Sequence, residues 1–287
     1  MNKNKPDKSM DGSISTEDLD LIEDTLVSGI RDFASRLGFT KLHLGLSGGL
    51  DSALVAYLAA KALGPEKLCC ISMPSRFSSK SSKDDAAALC LNLGCKLEIL
   101  PIEEAYAACL STLKEIFNDL PFDTAEENIQ TRIRGVLAMA YSNKFNSMLL
   151  CNSNKSEIAM GYCTIYGIDT IGVLAPIGDL FKTQVYALSR RINQRSMEKG
   201  EGQIIPQSII DKPPSAELRP DQKDEDSLPP YAVLDPILEL YLTEHLTRDE
   251  IAARGWDAAL VDGIIKTVVR SEFKKSLLPP FIKVEVR

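Results

Sequence analysis

Residues 41–63 read KLHLGLSGGLDSALVAYLAAKAL, an apolar run that leads through a glycine-rich turn into an Ala- and Leu-rich segment. The apolar run predicts a buried β-strand, and the last eleven residues have the length and composition of a helix. The turn between them, residues 47–52, contains two glycines that allow a tight bend and a close approach of the backbone to a ligand. Its two serine hydroxyls and the first amides of the helix can donate to phosphate oxygens. This stretch therefore predicts a pyrophosphate-binding turn, called the glycine turn below.

Asp51 lies inside the glycine turn. A carboxylate beside a phosphate needs a divalent cation to offset their repulsion, so the turn predicts Mg²⁺ together with a nucleotide. Asp and Ser after two glycines are also typical of a capped turn into a helix with no ligand, and the turn alone leaves that alternative open. No Gly-Lys-Ser/Thr follows, which excludes the usual nucleoside-triphosphatase loop. The turn resembles instead the loop of the ATP pyrophosphatases, which cleave ATP between its α and β phosphates and make adenylated intermediates.

Predicted strands and helices alternate along the chain. Strands are predicted at residues 41–46, 67–73, 96–102 and 147–151. Helices are predicted from Ser15 to about 37, at 53–63, at 80–93, up to Phe117, at 124–144 and at 182–195. This alternation predicts an α/β fold with a doubly wound parallel sheet flanked by helices, whose ligand binds at the carboxyl ends of the strands. Further helices, at 232–243, 247–254 and 258–275, predict a helical C-terminal region.

The chain is predicted to form one domain, residues 14–287, after a polar, disordered lead at residues 1–13. Residues 196–230 interrupt the helical pattern. Their second part, together with Tyr231, contains five prolines and the charged run DQKDED. We interpret this part, residues 212–231, as a mobile, non-helical loop of the kind that closes over a site.

Composition limits the function classes. The chain is 44% hydrophobic and 25% charged, as expected for a globular protein. Its net charge of −7 argues against a nucleic-acid partner, because neutralising phosphates normally needs a basic face. No apolar stretch approaches the roughly 20 residues that span a bilayer, and the N-terminus does not have the pattern of a signal peptide. We therefore predict a cytoplasmic protein with no membrane partner.

Seven cysteines are spread over the chain without a Cys-x-x-Cys pair, and only two histidines are present. Most of the cysteines lie in apolar segments, which is typical of reduced core residues. The histidines have no ligand spacing to each other or to a cysteine pair. We therefore predict no zinc site.

Five further segments give the chain a specific resemblance to the NAD synthetases, which belong to the N-type ATP pyrophosphatases with the adenine nucleotide alpha hydrolase-like fold. They are SMPSR at 72–76, ENIQTRIRG at 127–135, NKSE at 154–157, GYCTIYG at 161–167 and KPPSAEL at 212–218. The resemblance covers about residues 20–280 and is closer to the synthetase portion of the glutamine-using enzymes.

The resemblance implies a two-step reaction that uses ATP and Mg²⁺. The nicotinate carboxylate of deamido-NAD attacks the α-phosphate of ATP, and ammonia then displaces AMP to leave the amide of NAD⁺. Activation suits this chemistry because a carboxylate is a poor acceptor of an amine at neutral pH. The negative charge on the departing pyrophosphate must be met by cations.

The resemblance also assigns roles to residues of this sequence. Asp51, Glu157 and Lys182 match the catalytic residues, and the first two match the metal-binding acids. The residues matched to ATP binding are Gly45, Leu46, Ser47, Gly48, Gly49, Asp51, Ser52, Asn152, Lys182 and Ser215. The residues matched to deamido-NAD binding are Asn128, Arg132, Glu157, Asp169 and Lys274.

Three of these assignments have a simpler structural alternative. Glu157 could be an ordinary carboxylate at a helix N-terminus, and Lys274 a lysine at a helix C-terminus. Taken alone, Lys182 would be a solvated lysine. Arg132 and Arg134 point to different sides of one helix, so only one needs to face a ligand.

The family resemblance favours Arg132 and leaves Arg134 a structural role. Asn128, one helical turn earlier, is predicted to share the face of Arg132 and the dinucleotide site.

The chain departs from the family pattern in two places. Asn152 and Ser153 stand where the family has Thr and Gly; the amide can replace the hydroxyl as a hydrogen-bonding group, whereas a serine disfavours positive φ and close backbone approach. Ile168 is inserted before the acid that matches Asp169.

The sequence contains no amidotransferase-like segment, so we expect the chain to use ammonia. A separate glutaminase subunit that supplies it, or a fragment of a longer chain, is left open. The resemblance further implies a homodimer with a helix pair at its interface and the dinucleotide site nearby.

Two other functions also stay open. An adenylating enzyme could amidate or thiolate another acceptor, such as a purine nucleotide or tRNA. A nucleotide-binding regulatory module could have lost turnover.

Overall fold

The fold, described by a computed structural model for residues 14–284, is built on a four-stranded parallel sheet. Its strands are β1 (Leu42–Gly45), β2 (Leu68–Ser72), β3 (Lys96–Ile99) and β4 (Met148–Leu150), in the order β3-β2-β1-β4. The chain moves outward from β1 to β3 on one side and later places β4 on the other. This is a doubly wound sheet, so the predicted fold class is confirmed. The predicted lead at residues 1–13 lies outside the described residues.

Helices cover both faces of the sheet and form the C-terminal region. In chain order they are α1 (Thr16–Arg36), α2 (Leu50–Leu63), α3 (Lys80–Leu93), α4 (Glu103–Phe117), α5 (Thr124–Phe145), α6 (Lys155–Met160), α7 (Lys182–Glu198), α8 (Gln207–Asp211), α9 (Tyr231–Leu242), α10 (Arg248–Ala253) and α11 (Ala258–Lys275). None of the helices in residues 14–284 combines the length and the apolarity that crossing a bilayer requires.

Strand β1 divides the interior, because its alternate side chains point to opposite faces. Leu42 and Leu44 lie in the largest core, which includes residues of α1, α2, α3, α7 and α8. On the other face, β2 packs against residues of α4 and α5, and the buried ring of His43 lies 4.9 Å from the ring of Tyr141 on α5. A separate core joins α6, α9, α10 and α11, as expected for a helical C-terminal region.

The segment at residues 196–230 differs from the prediction. Helix α7 extends to Glu198, and α8 follows Pro206 because Ile209 and Ile210 pack into the main core. A 3₁₀ turn at Asp224–Asp226 also interrupts the part predicted as non-helical. The segment is therefore not uniformly irregular, and its mobility stays a prediction.

Candidate active site

A cavity of about 460 Å³ opens at the carboxyl ends of the strands, the edge at which α/β sheets bind ligands. The glycine turn that follows β1 forms one wall, and the residues after β2 and β4 form others. Helix α5 and the loop from Lys212 to Asp224 complete the lining. The volume is in the range of small-molecule sites.

The glycine turn has the geometry of an anion site. Gly49 is the N-cap of α2 and has no side chain with which to cap it, so the amides of the first helical turn are available to a ligand. Gly48 has φ +81°, and a Cβ placed on it would lie 2.3 Å from the carbonyl oxygen of Ser82 on α3. The hydroxyls of Ser47 and Ser52 lie 3.2 Å apart. The turn is therefore packed tightly against α3. The structure explains why both positions are glycine: Gly48 has no room for a side chain, and Gly49 leaves the first amides of α2 uncapped.

Lys182 is buried at the edge of the cavity, with 4% of its side chain exposed. Its ammonium contacts the carboxylate of Asp51 and lies 3.5 Å from Oε1 of Glu157. Burial opposes the charged ammonium, but the two carboxylates outweigh it and raise the pKa of Lys182. The alternative of a solvated lysine is wrong.

Glu157 and Asp51 come from the first turns of α6 and α2, and these two helix starts meet beside the cavity. Nδ2 of Asn154, the N-cap of α6, donates to Oδ1 of Asp51 at 3.1 Å. Burial, followed by the negative charge of Asp51, raises the pKa of Glu157 to about 8. Two carboxylates that share one ammonium are the oxygen donors that Mg²⁺ prefers, so this donor set fits the ion.

Two buried oxygens that line the cavity have no hydrogen-bond partner in the described residues. They are Oδ1 of Asn152, whose Nδ2 donates to the carbonyl of Gly45 at 2.7 Å, and Oδ1 of Asp169. Burial raises the pKa of Asp169 to about 6, against the opposing hydrogen bond from the N–H of Thr164. Both atoms can therefore accept a hydrogen bond from a ligand in the cavity.

Ser153 occupies the position of the family glycine without positive φ. Its hydroxyl donates to the carbonyl oxygen of Asp169 at 2.5 Å. The inserted Ile168 packs against Gly45, where a Cβ would lie 3.2 Å from the isoleucine side chain. With both departures from the family pattern present, Asp169 still lines the cavity.

The two arginines of α5 point to different sides, but it is Arg134 that lines the cavity. Its Nε donates to the carbonyl of Met73 at 2.9 Å, and burial lowers its pKa to about 10. Arg132 is exposed, its Nε donates to the carbonyl of Ile165 at 3.2 Å, and it does not line this cavity. Arg134, which the sequence prediction left structural, is the residue that sequence reasoning missed.

Asn128 and Arg132 contact neighbouring residues of one loop, Thr164 and Ile165, which agrees with a shared face of α5. Of the two, it is Asn128 that lines the cavity. The reason is helical geometry. Asn128 lies at the edge of the buried face, and four further residues rotate the side chain by about 40° more, which takes Arg132 past that edge.

Lys274 and Ser215 also line the cavity. Nζ of Lys274 donates to the carbonyls of Gly161 and Cys163 at 2.7 and 2.8 Å, so it ties the end of α11 to the loop after α6. The hydroxyl of Ser215 accepts the N–H of Glu217 at 3.1 Å.

Glu217 anchors the loop at residues 212–224 to the start of α3. Its carboxylate accepts from the hydroxyls of Ser79 and Ser82 at 2.9 and 2.7 Å, and it pairs with Lys212 at 2.9 Å. The residue has φ +48°, an uncommon conformation for a side chain of this size. The motif KPPSAEL contained Glu217, but its spacing did not indicate which partners this carboxylate would have.

Known proteins are similar to this chain over most of its length. The NAD synthase family model matches residues 22–278. A glutamine-dependent NAD(+) synthetase of Rhodobacter capsulatus is 49% identical over 253 residues, which are 87% of this chain and 46% of that protein. The chain spans about half the length of the curated relatives it matches.

Two solved structures match over nearly the whole of both chains. The NH3-dependent NAD synthetase of Campylobacter jejuni, in complex with the nitrate ion, is 28% identical with a TM-score of 0.70, over 90% of this chain and 96% of that one. The NMN synthetase of Francisella tularensis is 25% identical with a TM-score of 0.74, over 96% and 99%.

Proposed function

Because the chain belongs to the NAD synthase family, a family of C–N ligases, we propose that residues 14–287 form one synthetase domain that amidates deamido-NAD at the expense of ATP. The products are NAD⁺, AMP and pyrophosphate. Ammonia is the nucleophile, whether it comes from solution or from a glutaminase that acts as a partner.

The reaction has two covalent steps. First, a carboxylate oxygen of the nicotinate bonds to the α-phosphorus, and the bond from that phosphorus to the bridging oxygen of pyrophosphate breaks. Then ammonia bonds to the acyl carbon, AMP leaves and a proton is released. The glycine turn and the start of α2 bind the pyrophosphate through N–H groups, and Lys182 meets its charge.

The arrangement of Lys182 with Asp51 and Glu157 beside the glycine turn is the observation that carries this proposal. A buried ammonium with two carboxylates is costly to desolvate, so its presence at a cavity edge is typical of a functional site. We assign Asp51 and Glu157 as the residues that would hold Mg²⁺, which supplies charge neutralisation on the phosphates.

The acceptor is assigned from the polar residues of the cavity. Asn128, Asp169 and Lys274 offer polar groups to the cavity, and their assignment to deamido-NAD rests on the resemblance and on the unpaired oxygen of Asp169. Arg134 lines the same cavity. The similarity to an NMN synthetase favours one second candidate, amidation of nicotinate mononucleotide. That acceptor has the same reacting carboxylate and lacks the adenylyl half.

Arg132 keeps a role only if a second chain completes the site. It lies on an exposed stripe of α5 that also contains Val136, 69% exposed, and Met139, 36% exposed. We propose that this stripe lies in a homodimer interface and that Arg132 contacts deamido-NAD there.

We propose the cytoplasm as the location of the protein. Most of the cysteines lie in apolar segments, which is typical of the reduced cysteines of cytoplasmic proteins.

Substitution Asp51→Asn tests the metal and phosphate assignment. It removes one carboxylate charge and keeps the size of the side chain, so we expect loss of detectable turnover with an unchanged circular-dichroism spectrum. Asp84→Asn is the matched control, because Asp84 is 61% exposed on α3 and pairs with the exposed Lys80. Normal turnover by Asp51→Asn would sink the assignment of Asp51 to Mg²⁺.

A further inference from the structure

Three cysteines converge outside the cavity, on the side of the sheet covered by α3. Cys70 lies on β2, Cys90 in the last turn of α3, and Cys95 in the turn before β3. Their sulfur atoms all lie within 4.8 Å of one another, and those of Cys70 and Cys95 are 3.8 Å apart. The sequence predicted dispersed core cysteines, because positions 70, 90 and 95 contain no Cys-x-x-Cys pair. We call this group the thiol cluster.

The backbone holds two of the three thiols together. Gly94 ends α3 with φ +68°, its N–H donates to the carbonyl of Leu91 at 3.2 Å, and the N–H of Cys95 donates to the carbonyl of Cys90 at 3.1 Å. These are the two bonds of a Schellman motif, which places the residue after the glycine against the last turn of its helix. The contact of Cys90 with Cys95 is thus a consequence of the helix end, and it does not depend on rotamer choice alone.

Strand β2 supplies the third sulfur. Cys70 points to the same face as Leu68 and lies in the main core, whereas the alternate residues Cys69 and Ile71 face α4 and α5. Cys70 is fully buried and Cys90 is 3% exposed, while Cys95 is partly exposed. Two of the three thiols are therefore shielded from solvent, and solvent can reach the cluster at Cys95.

We propose that the thiol cluster binds a soft, thiophilic metal ion, and that Cu(I) is the ion its geometry favours. Thiolates select soft cations such as Cu(I) and Zn²⁺. Metal–sulfur bonds of about 2.3 Å place sulfurs that share an ion about 3.8–4.0 Å apart, so small side-chain rotations are enough to close the site. Each thiol that binds as thiolate releases its proton to solvent.

The number of ligands separates Cu(I) from Zn²⁺. Structural zinc takes four protein ligands, and among the described residues the cluster offers three side chains of the His, Cys, Asp and Glu types. Cu(I) is satisfied by three sulfurs in a plane. A bound ion would tie α3 to β2; Ser82 in the first turn of α3 and Met73 directly after β2 both line the cavity.

The test is anaerobic titration of the reduced, metal-free 287-residue chain with Cu(I) against a competing Cu(I) chelator. We expect one tightly bound ion per chain and three sulfur neighbours in its X-ray absorption spectrum. Cys95→Ser and Cys70→Val should each lose this binding. Cys95 is partly exposed, so its substitution should leave the fold intact, as circular dichroism will show. Cys109→Ser, a partly buried cysteine on α4, is the matched control and should bind as the unsubstituted chain does.

Two results would overturn the proposal. If the chain competes for Cu(I) no better than its Cys95→Ser variant, the three thiols are ordinary core residues. If Zn²⁺ displaces Cu(I) at equal concentration, the choice of copper is wrong. A water molecule would then be the fourth ligand of the zinc ion, beside the three sulfurs.

Discussion

Lys182 owes its position to residues that are distant in the sequence. Its backbone N–H donates to the hydroxyl of Ser156 at 2.9 Å, and the N–H of Thr183 donates to Asp235 on α9 at 2.8 Å. Ser156 in turn donates to the same carboxyl group at 2.6 Å. Asp235 thus caps the start of α7 and orients Lys182 toward the carboxylates of Asp51 and Glu157. Nothing in the spacing of the sequence indicated that link.

His43 gives a pH-dependent stability at the residue scale. Its ring nitrogens lie 2.9 Å from the hydroxyl of Ser147 and 3.0 Å from the carbonyl oxygen of Ala138, and burial lowers its pKa from 6.5 to about 4. Between pH 6.5 and about 4, His43 is therefore protonated in the unfolded chain and neutral in the folded chain. The stabilisation is complete above pH 6.5 and is lost as the pH falls toward 4, by about 2 kcal/mol between pH 7.5 and 5.

Urea unfolding at several pH values checks this prediction. His43→Gln cannot titrate in this range, so its free energy of unfolding should change less between pH 7.5 and 5 than that of the unsubstituted chain. His245→Gln is the control because His245, the other histidine, is exposed. Equal slopes for the unsubstituted chain and His43→Gln would contradict the assignment.

The sequence predicted some of the residues at the site, but not the ones whose position depends on tertiary contacts. Asp51 and Glu157 could be predicted to converge because the motifs that contain them follow strand ends, whereas Lys182 was assigned by the family resemblance alone. Arg134 could not be predicted, because the face of α5 that becomes buried depends on how the helix packs on the sheet. The spacing of Asn128 and Arg132 predicted the angle between them about the axis of α5. It could not predict which side of α5 would face the cavity.

At the scale of elements, Gly48 couples the glycine turn to α3. A Cβ at Gly48 would meet backbone atoms of Ser82 at 2.3–2.8 Å, and the residue has φ +81°. We expect Gly48→Ala to lower the free energy of unfolding by about 2 kcal/mol or more and to weaken ATP binding, because the turn must move away from α3.

Gly200→Ala separates strain from the steric clash. Gly200 has φ +77°, but nothing lies within 4 Å of a Cβ placed there. This variant should lose only about 1 kcal/mol and should bind ATP normally, as calorimetric titration would show. Equal effects of the two substitutions would mean that the packing of the turn against α3 is unimportant.

Several long helices were predictable, and of the short ones α10 was predicted, at 247–254, whereas α6 and α8 were not. Helices α3 and α11 have the predicted bounds, because 14 and 18 residues contain several periods of the apolar pattern. Helices α6 and α8 have six and five residues, too few for a period to be read. Their formation depends on tertiary contacts, as with Ile209 and Ile210 of α8 in the main core.

At the scale of the whole molecule, the proposed homodimer predicts the effect of a charge on α5. Val136→Asp places a carboxylate in the exposed stripe, so we expect sedimentation to shift from a dimer to the 31.5 kDa monomer. The KM for deamido-NAD should rise as well if Arg132 acts from the interface. Val269→Asp is the matched control, an exposed valine on α11. A monomeric unsubstituted chain would contradict the interface.

Some features of the sheet could be predicted from the sequence and others could not. Alternation of strands with helices was sufficient to predict a parallel sheet and the edge at which the site lies. The thiol cluster was not predictable, because Cys70 and Cys90 meet only when α3 packs over β2. Likewise, the order β3-β2-β1-β4 depends on crossover directions that local patterns do not specify.

The most direct test of the proposed activity is product formation by the purified chain with ATP and Mg²⁺, comparing two acceptors and two nitrogen sources. We predict equal amounts of NAD⁺ and AMP with deamido-NAD and ammonium, and less product with nicotinate mononucleotide or with glutamine alone. Faster amidation of the mononucleotide would show that the acceptor is wrong. Absence of AMP with either acceptor and ammonium, in a chain that binds ATP, would contradict the synthetase itself.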